Sequence, residues 1–256
     1  MCVKIFISKK RNDAARMLHL YHDLMNLYGD WANVAVLARE LAKRGAGALI
    51  DYLSVGDGID FGKYDFVFIG SGTERNQRAC MGDLARHADA FISRIEEGMH
   101  VLATGNSHEL FGHAITAAGG ERYGTLGLLD FETMQRDSRV TGDCVLKATF
   151  LRDRLIGFIN RAGHGQEGGI ERPFLAELGP GANDLSRTEG IRYKNLLGTY
   201  ITGPVLVRNP PLLDHIADML CPDFRGENAG NDPFFGYQAA AYHITLGELS
   251  ARIKRQ

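Results

Sequence analysis

Apolar runs alternate with amphipathic stretches along the first half of the chain. Short continuous apolar runs bounded by polar residues or glycine are typical of buried parallel strands. The runs that fit this description are Cys2–Ser8, Ala48–Val55, Tyr64–Gly70 and Met99–Thr104. Apolar residues at helical spacing, each time with glycine next in the chain, predict helices over Asn33–Arg44, Gln77–Glu97 and Ser107–Ala118. This β-α-β-α order predicts a parallel sheet with helices on both faces.

The second half of the chain has a different pattern, with apolar runs that no long helix separates. These runs predict strands at Leu126–Leu129, Ser138–Phe150, Leu155–Asn160, Phe174–Leu178 and Asn195–Ile201. Helical spacing returns at Asn209–Leu220 and Pro233–Arg255. Repeats and an interdomain linker are not evident. We therefore expect one α/β domain over residues 1–256, with a three-layer architecture and a parallel sheet that is mixed at its edge.

Composition narrows the class of protein. Among 256 residues, 29 Lys and Arg nearly balance 31 Asp and Glu, and 45% of the residues are hydrophobic. This excludes a disordered chain and argues against a general nucleic-acid binder. No apolar run approaches the ~18 residues of a membrane span, and the first run precedes its basic residues, unlike a secretory signal. Four cysteines without C-x-x-C spacing (Cys2, Cys80, Cys144 and Cys221) predict reduced thiols in a cytoplasmic protein, with no metal or cofactor.

Six segments, taken in order, carry a family resemblance. They are LYHDLMNLYGD (Leu20–Asp30), DFVFIGSGTERNQ (Asp65–Gln77), LATGNSHELFG (Leu102–Gly112), LGLLDFET (Leu126–Thr133), GFINRAG (Gly157–Gly163) and YKNLLGTYITGPVLVRNP (Tyr193–Pro210). The chain resembles the class I glutamine amidotransferase domain of the CobB/CobQ type, which has a flavodoxin-like fold. The resemblance is strongest over residues 20–220, with residues 221–256 as a C-terminal helical extension.

The GatD-like branch of this family resembles the chain most. That branch supplies the glutaminase subunit of lipid II isoglutaminyl synthase, which works with a Mur-ligase-like subunit, MurT. The resemblance implies that glutamine is hydrolysed and that its ammonia passes to an ATP-dependent, amide-forming ligase. It fits peptidoglycan and cobalamin biosynthesis alike, since fold does not decide between them.

The reacting residues of the family are missing from this sequence. The family uses a cysteine on a sharp strand-to-helix turn, and a histidine takes its proton. The family turn C-G-G-Y-Q-L-L-G reads G-N-S-H-E-L-F-G here, which puts Gly105 at the cysteine position. The family motif G-T-Y-x-H-G-P puts Thr202 at the histidine position, and the segment G-F-E-N-H departs at Ile159 and Arg161. We expect a catalytically silent homologue, a scaffold or regulatory subunit of the ligase.

The surrounding pocket keeps backbone groups that do not depend on side chains. The loop Gly70-Ser71-Gly72 corresponds to the family's G-G-G-Q-D loop, which contributes an oxyanion N–H, and the N–H of Asn106 would be the second donor. A plain strand-to-helix turn would also explain these glycines. Glu109 takes the family's glutamine position and either lines the pocket or packs on the helix. Because nucleophiles in such turns often have positive φ, we predict a positive φ at Gly105, with Thr202 facing it.

Alternatives with altered chemistry stay open. Ser107 lies in G-x-S-x-E, a partial match to the hydrolase elbow, although a helix-capping serine explains it as well. Cys80 could be a relocated thiol or a small buried residue. His108 has no carboxylate partner or metal spacing that would identify it as a base. His164 lies in the glycine-rich loop GHGQEGG, where it is either solvated or turned toward the pocket. A further alternative is a small-molecule binding module that holds a carboxamide in the emptied pocket without turnover.

Overall fold

The computed structural model describes residues 14–166, 168–222 and 232–254. The strands are β1 Ala14–Leu20, β2 Gly47–Leu53, β3 Phe66–Ile69, β4 His100–Thr104, β5 Ala114–Thr116, β6 Arg122–Gly124, β7 Glu132–Ala148, β8 Arg154–Gly165, β9 Phe174–Leu178, β10 Thr188–Glu189, β11 Ile191–Tyr193, β12 Leu196–Thr199 and β13 Ile201–Thr202. The α-helices are α1 Trp31–Lys43, α2 Glu74–Leu84, α3 Ala88–Glu96, α4 Val205–Arg208, α5 Pro210–Leu220 and α6 Pro233–Ile253. Three 3-10 helices cover Phe61–Lys63, Ala85–His87 and Gly105–Phe111.

A six-stranded sheet forms the centre of the fold, in the order β11-β12-β4-β3-β1-β2. All neighbours are parallel except β11, which runs antiparallel at one edge. Successive side chains of a strand point to opposite faces. Met17 accordingly packs in the core with Leu37 of α1, while Leu18 packs in the other core with Phe91 of α3. This confirms the predicted α/β class with helices on both faces of a mixed-edge sheet.

A second sheet is built from the strand-rich second half of the chain. Its order is β10-β9-β7-β5-β6, and β8 pairs with both β7 and β13. Most of its pairs are antiparallel, and the hairpin of β7 and β8 is its longest ladder. Cys144 and Leu146 of β7 share a core with Phe66 of the central sheet and Leu212 of α5. Helix α6 covers part of the second sheet, packing Tyr242 and other side chains onto it.

The first strand differs from the sequence prediction. The predicted strand Cys2–Ser8 lies outside the described residues. The structure uses β1, AARMLHL, as a central strand between β2 and β3. Arg16 and His19 interrupt its apolar pattern, although His19 is fully buried. A strand buried on both faces is expected to be apolar throughout, so these two residues hid it from pattern analysis.

Four further predictions were wrong in detail. The predicted helix Gln77–Glu97 is divided into α2 and α3 by a 3-10 turn, and residues predicted as one strand over Asn195–Ile201 form parts of β12 and β13. The predicted helix Ser107–Ala118 is a 3-10 helix followed by β5. The predicted strand Leu126–Leu129 is irregular, because the N–H groups of Leu126 and Leu129 bond to carbonyls of that 3-10 helix, and that of Gly127 bonds to the carbonyl of Gly112, instead of joining a strand ladder.

Within the residues that the structure describes, no helix is long and apolar enough to cross a membrane.

Candidate functional site

The turn after β4 keeps the conformation that a nucleophile turn requires. β4 ends at Thr104, and Gly105 follows with a φ of +60° as the first residue of the 3-10 helix. This confirms the predicted positive φ, which glycine adopts at little cost because it has no Cβ. The register of β12 against β4 pairs Thr199 with Thr104, so Thr202 follows the neighbouring strand at the same carboxyl edge. That the Thr202 side chain faces Gly105 stays a prediction.

Thr202 is engaged with the second sheet. It is buried on β13, and its hydroxyl donates a hydrogen bond to the carbonyl oxygen of Phe158 at 2.9 Å. This bond ties β13 to β8. A threonine hydroxyl held in this way has no capacity to accept a proton at neutral pH, so the residue stabilises the sheet and supplies no base.

The space beside Gly105 is occupied by Ser71. A Cβ placed on Gly105 would lie 2.7 Å from the Cβ of Ser71, a separation that real Cβ atoms essentially never show. Ser71 is buried in the loop between β3 and α2, where the family pattern has glycine. Position 105 therefore lacks the cysteine of the family, and position 71 beside it carries serine, which is larger than the glycine of the family. A cysteine at position 105 would fit only if Ser71 moved.

Asn106 closes the loop that was expected to supply the oxyanion donor. The N–H of Gly72 donates to Oδ1 of Asn106 at 3.0 Å, and Nδ2 of Asn106 donates back to the carbonyl oxygen of Gly72 at 3.0 Å. The family pattern has glycine at position 106, which has no side chain to make these bonds. The predicted donor at Gly72 is thus already satisfied within the protein.

Ser107 and Cys80, the two alternative nucleophiles, are both held in inert surroundings. The Ser107 hydroxyl is fully buried and lies 2.9 Å from the carbonyl oxygens of Ile69 and Thr104. Its one proton is directed to backbone acceptors, so it fastens the turn to the ends of β3 and β4. Cys80 is buried on α2, and burial raises the pKa of its thiol to about 12. A thiol that stays protonated is a poor nucleophile.

His108 braces the backbone of the same turn. Its Nδ1 lies 2.7 Å from the carbonyl oxygen of Gly105, and its ring meets the ring of Tyr200 edge-on at 4.1 Å between centroids. Complete burial lowers the pKa of His108 to about 3, so the imidazole is neutral. The hydrogen bond assigns its proton to Nδ1, which donates to Gly105. His108 is therefore placed to hold the turn and not to accept a proton from a nucleophile.

Glu109 links the turn to the second sheet through a buried amide network. Its Oε2 accepts hydrogen bonds from Nε2 of Gln77 at 2.7 Å and from Nε2 of Gln135 at 3.3 Å. The same Gln135 Nε2 also donates to Oε1 of Gln77 at 2.8 Å. Burial raises the pKa of Glu109 to about 7. The partners Gln77 and Gln135 were missed by sequence analysis, because they are 58 residues apart and follow no local pattern.

Arg161 and Glu189 are two further buried charged residues near the turn. Arg161 donates from Nη1 to the carbonyl oxygen of Gly163 at 2.5 Å, and its guanidinium carbon lies 5.4 Å from the centroid of the Tyr200 ring. Glu189 accepts from Thr199 Oγ1 at 2.6 Å and from the N–H of Tyr200 at 2.8 Å, and burial raises its pKa to about 7. Glu189 orders the segment that leads to Thr202, and its two-residue strand gave no sequence signal.

Asp30 is a third buried carboxyl at this edge of the sheet. Its Oδ1 accepts a hydrogen bond from Thr104 Oγ1 at 3.2 Å, and its Oδ2 accepts one from the N–H of Tyr28 at 3.3 Å. Burial raises the pKa of Asp30 to about 6. Asp30 thus fixes the loop after β1 against the end of β4, one residue before Gly105.

Comparison with known proteins places this arrangement in a family. Residues 16–210 match the CobB/CobQ-like glutamine amidotransferase domain. The chain is 32% identical over 209 residues to the GatD subunit of lipid II isoglutaminyl synthase (glutamine-hydrolyzing) from Staphylococcus aureus, covering 79% of this chain and 83% of that protein. It is 32% identical over 196 residues to the same subunit from Streptococcus pneumoniae, covering 76% of this chain and 75% of that protein.

Solved structures support the same fold. A glutamine amidotransferase crystal structure is similar with a TM-score of 0.54 at 16% identity, covering 80% of this chain and 98% of that one. A second glutamine amidotransferase, from Thermotoga maritima, has a TM-score of 0.51 at 13% identity and covers 94% and 97%. At such low identity these structures support the fold alone. On the domain match and the two sequence relatives, the chain belongs to the CobB/CobQ-like glutamine amidotransferase family, in its GatD-like branch.

Proposed function

We propose that this protein is a GatD-like amidotransferase homologue without glutaminase activity, acting as a scaffold or regulatory subunit of an ATP-dependent, amide-forming ligase. The observation that carries the proposal is the turn at Gly105. It has the backbone conformation of a nucleophile turn, but its side-chain space is taken by Ser71, and the N–H of Gly72, an expected oxyanion donor, is bonded to Asn106.

The magnitude of the loss supports inactivity. Removing the nucleophile of a comparable catalytic unit lowers the rate on the order of 10⁶-fold, or about 8 kcal/mol of barrier. Preorganised oxyanion donors can retain part of the acceleration. Here the Gly72 N–H is bonded to Asn106, so it would have to break that bond before it could stabilise a tetrahedral intermediate.

The partner in this proposal is a Mur-ligase-like subunit of the MurT type. Two relatives that each align with about three quarters or more of this chain are named as subunits of a lipid II isoglutaminyl synthase. The turn residues that lost their chemistry remain buried and hydrogen-bonded. A framework kept intact without its nucleophile is what a subunit needs if it still has to present a folded surface to a partner.

A glutaminase assay tests the inactivity. The purified chain should release no ammonia from glutamine above the rate of a heat-treated sample, while Staphylococcus aureus GatD with its ligase partner serves as the positive control. Ammonia release that a thiol-directed inhibitor abolishes would contradict the proposal. Labelling by a fluorophosphonate that is lost in Ser107→Ala would instead favour a serine hydrolase.

Co-purification tests the partner role separately. A tagged copy of this chain, co-expressed with the Mur-ligase-like protein of its own organism, should retain that ligase through size-exclusion chromatography. An unrelated tagged protein is the control. Failure to form this complex would remove the subunit role and leave the inactivity untouched.

A further inference from the structure

A cavity of about 330 Å³ lies on the second sheet, away from the nucleophile turn. Met134 and His164 face each other directly across the β7–β8 ladder at its base, and Arg136 follows on β7. Asp184 and Leu185, from the loop between β9 and β10, form the opposite wall. The volume suits a ligand of amino-acid size.

His164 forms part of the cavity floor, as a buried residue of β8 and not as the solvated loop histidine that the sequence suggested. Its side chain is only 6% exposed, and within the described residues neither ring nitrogen makes a hydrogen bond. The closest charged oxygen is Oδ1 of Asp184, 3.5 Å from Nδ1. Burial, reinforced by Arg161 and Arg136, lowers the pKa of His164, so the ring is neutral. Both ring nitrogens are buried, so a ligand in the cavity would meet the neutral surface of the ring and not its nitrogens.

The charges at the cavity mouth are balanced and side by side. Nη1 of Arg136 lies 2.6 Å from Oδ2 of Asp184, and each side chain is about half exposed (48% and 54%). A ligand carboxylate would bond to the guanidinium, and a ligand ammonium would bond to the carboxylate. Met134 and Leu185 expose apolar surface beside this pair, 43% and 95% respectively. A ligand with two opposite charges close together and an apolar side chain beside them complements this lining.

The cavity is separate from the vestigial site. A Cβ on Gly163 would lie 2.7 Å from Cδ of Glu109, so this face of β8 is turned toward the nucleophile turn. His164 is the next residue and projects from the opposite face. Binding at His164 therefore does not require any group of the Gly105 turn.

We propose that this cavity binds a free α-amino acid with an apolar side chain, whose carboxylate pairs with Arg136 and whose ammonium pairs with Asp184. The inference rests on the cavity alone and is independent of the subunit role proposed above.

Calorimetric titration with L-leucine tests the proposal on the intact chain. L-Leucine should bind saturably, and both L-leucinamide, which lacks the carboxylate, and N-acetyl-L-leucine, which lacks the ammonium, should bind about tenfold more weakly or worse. Arg136→Gln and Asp184→Asn should each weaken leucine binding by a similar factor. Both residues are half exposed, so neither substitution endangers the fold.

Arg139→Gln is the matched control, since Arg139 is another β7 arginine that pairs elsewhere, with Glu74 at 2.7 Å. Its leucine affinity should equal that of the unmodified protein. Absence of saturable leucine binding at millimolar concentration would overturn the proposal. Equal binding of leucine and N-acetyl-L-leucine would overturn it too, because the site would then be a simple anion site. If Arg136→Gln and Asp184→Asn both left the leucine affinity unchanged, leucine would bind elsewhere and the proposal would be overturned.

Discussion

The nucleophile turn and the cavity beside His164 use polar groups in opposite ways. At the turn, the side chains of Asn106, Ser107 and His108 bond to backbone groups of the turn itself or of the loop and strand beside it. In the cavity, the charged side chains of Arg136 and Asp184 pair with each other and are about half exposed, so a ligand can reach them. The two regions thus differ in access, because polar side chains that are buried and bonded to the backbone are closed to a ligand, whereas an exposed charged pair is open to one.

The largest effect is expected from filling the turn. Gly105→Ala places a Cβ at a φ of +60° and against Ser71. The unfavourable φ and the overpacking together should lower the free energy of unfolding by about 3 kcal/mol, as measured by urea denaturation. Adding Ser71→Gly should recover part of this loss in a double-mutant cycle, because the contact is then removed.

Gly82→Ala provides the matched control for that cycle. Gly82 lies in α2, and a Cβ there would meet nothing within 4 Å. Alanine is favoured over glycine inside a helix, so this variant should be more stable by roughly 0.5–1 kcal/mol. A Gly105→Ala variant as stable as the unmodified protein would contradict the closed turn.

The sequence could predict the features of this site that depend on adjacent residues, but not those that depend on contacts between distant segments. The positive φ of Gly105 is local, since it depends on a glycine between a strand and a helical turn. The bonds between Asn106 and Gly72 join residues 34 apart, and no pattern within either segment shows that they meet. The same applies to β1, where Arg16 and His19 disguise a central strand that only pairing with β2 and β3 identifies.

Glu109→Gln should have the second-largest effect on the free energy of unfolding, and this effect should depend on pH. The folded pKa of Glu109 is about 7 against an ordinary value of 4.5, so the buried carboxyl is favoured in its protonated form. Its contribution to stability is present at low pH and is lost as pH rises through 7. Glutamine is isosteric and never ionises, so the variant should gain on the order of 2 kcal/mol at pH 8 and little at pH 5.

Urea midpoints at the two pH values measure this difference. Glu97→Gln is the control, because Glu97 is exposed and bonds to Arg94 at the surface. That variant should behave alike at pH 5 and pH 8. If Glu109→Gln shifts the midpoint equally at both pH values, the carboxyl is not held protonated by burial.

Asn106→Ala should lower the free energy of unfolding by less than Gly105→Ala does, but still by a measurable amount. It removes both bonds to Gly72 and leaves that loop to rely on water. We expect a loss of about 1–2 kcal/mol in the free energy of unfolding. Faster hydrogen exchange of the Gly72 amide should accompany it. An amide that exchanges equally fast before and after the substitution would mean that Asn106 does not close the loop.

The smallest effect on stability is expected at the cavity, and that is where the two regions separate most clearly. Asp184→Asn removes the surface pair with Arg136, and exposed pairs contribute only about 0–1 kcal/mol. Its urea midpoint should therefore stay close to that of the unmodified protein, although its leucine affinity falls. Gly105→Ala and Asn106→Ala should show the opposite result, with a lowered urea midpoint and an unchanged leucine affinity. If Asp184→Asn destabilised the protein as much as Asn106→Ala, the cavity groups would be structural as well, and the distinction between a closed and an open polar cluster would fail for this fold.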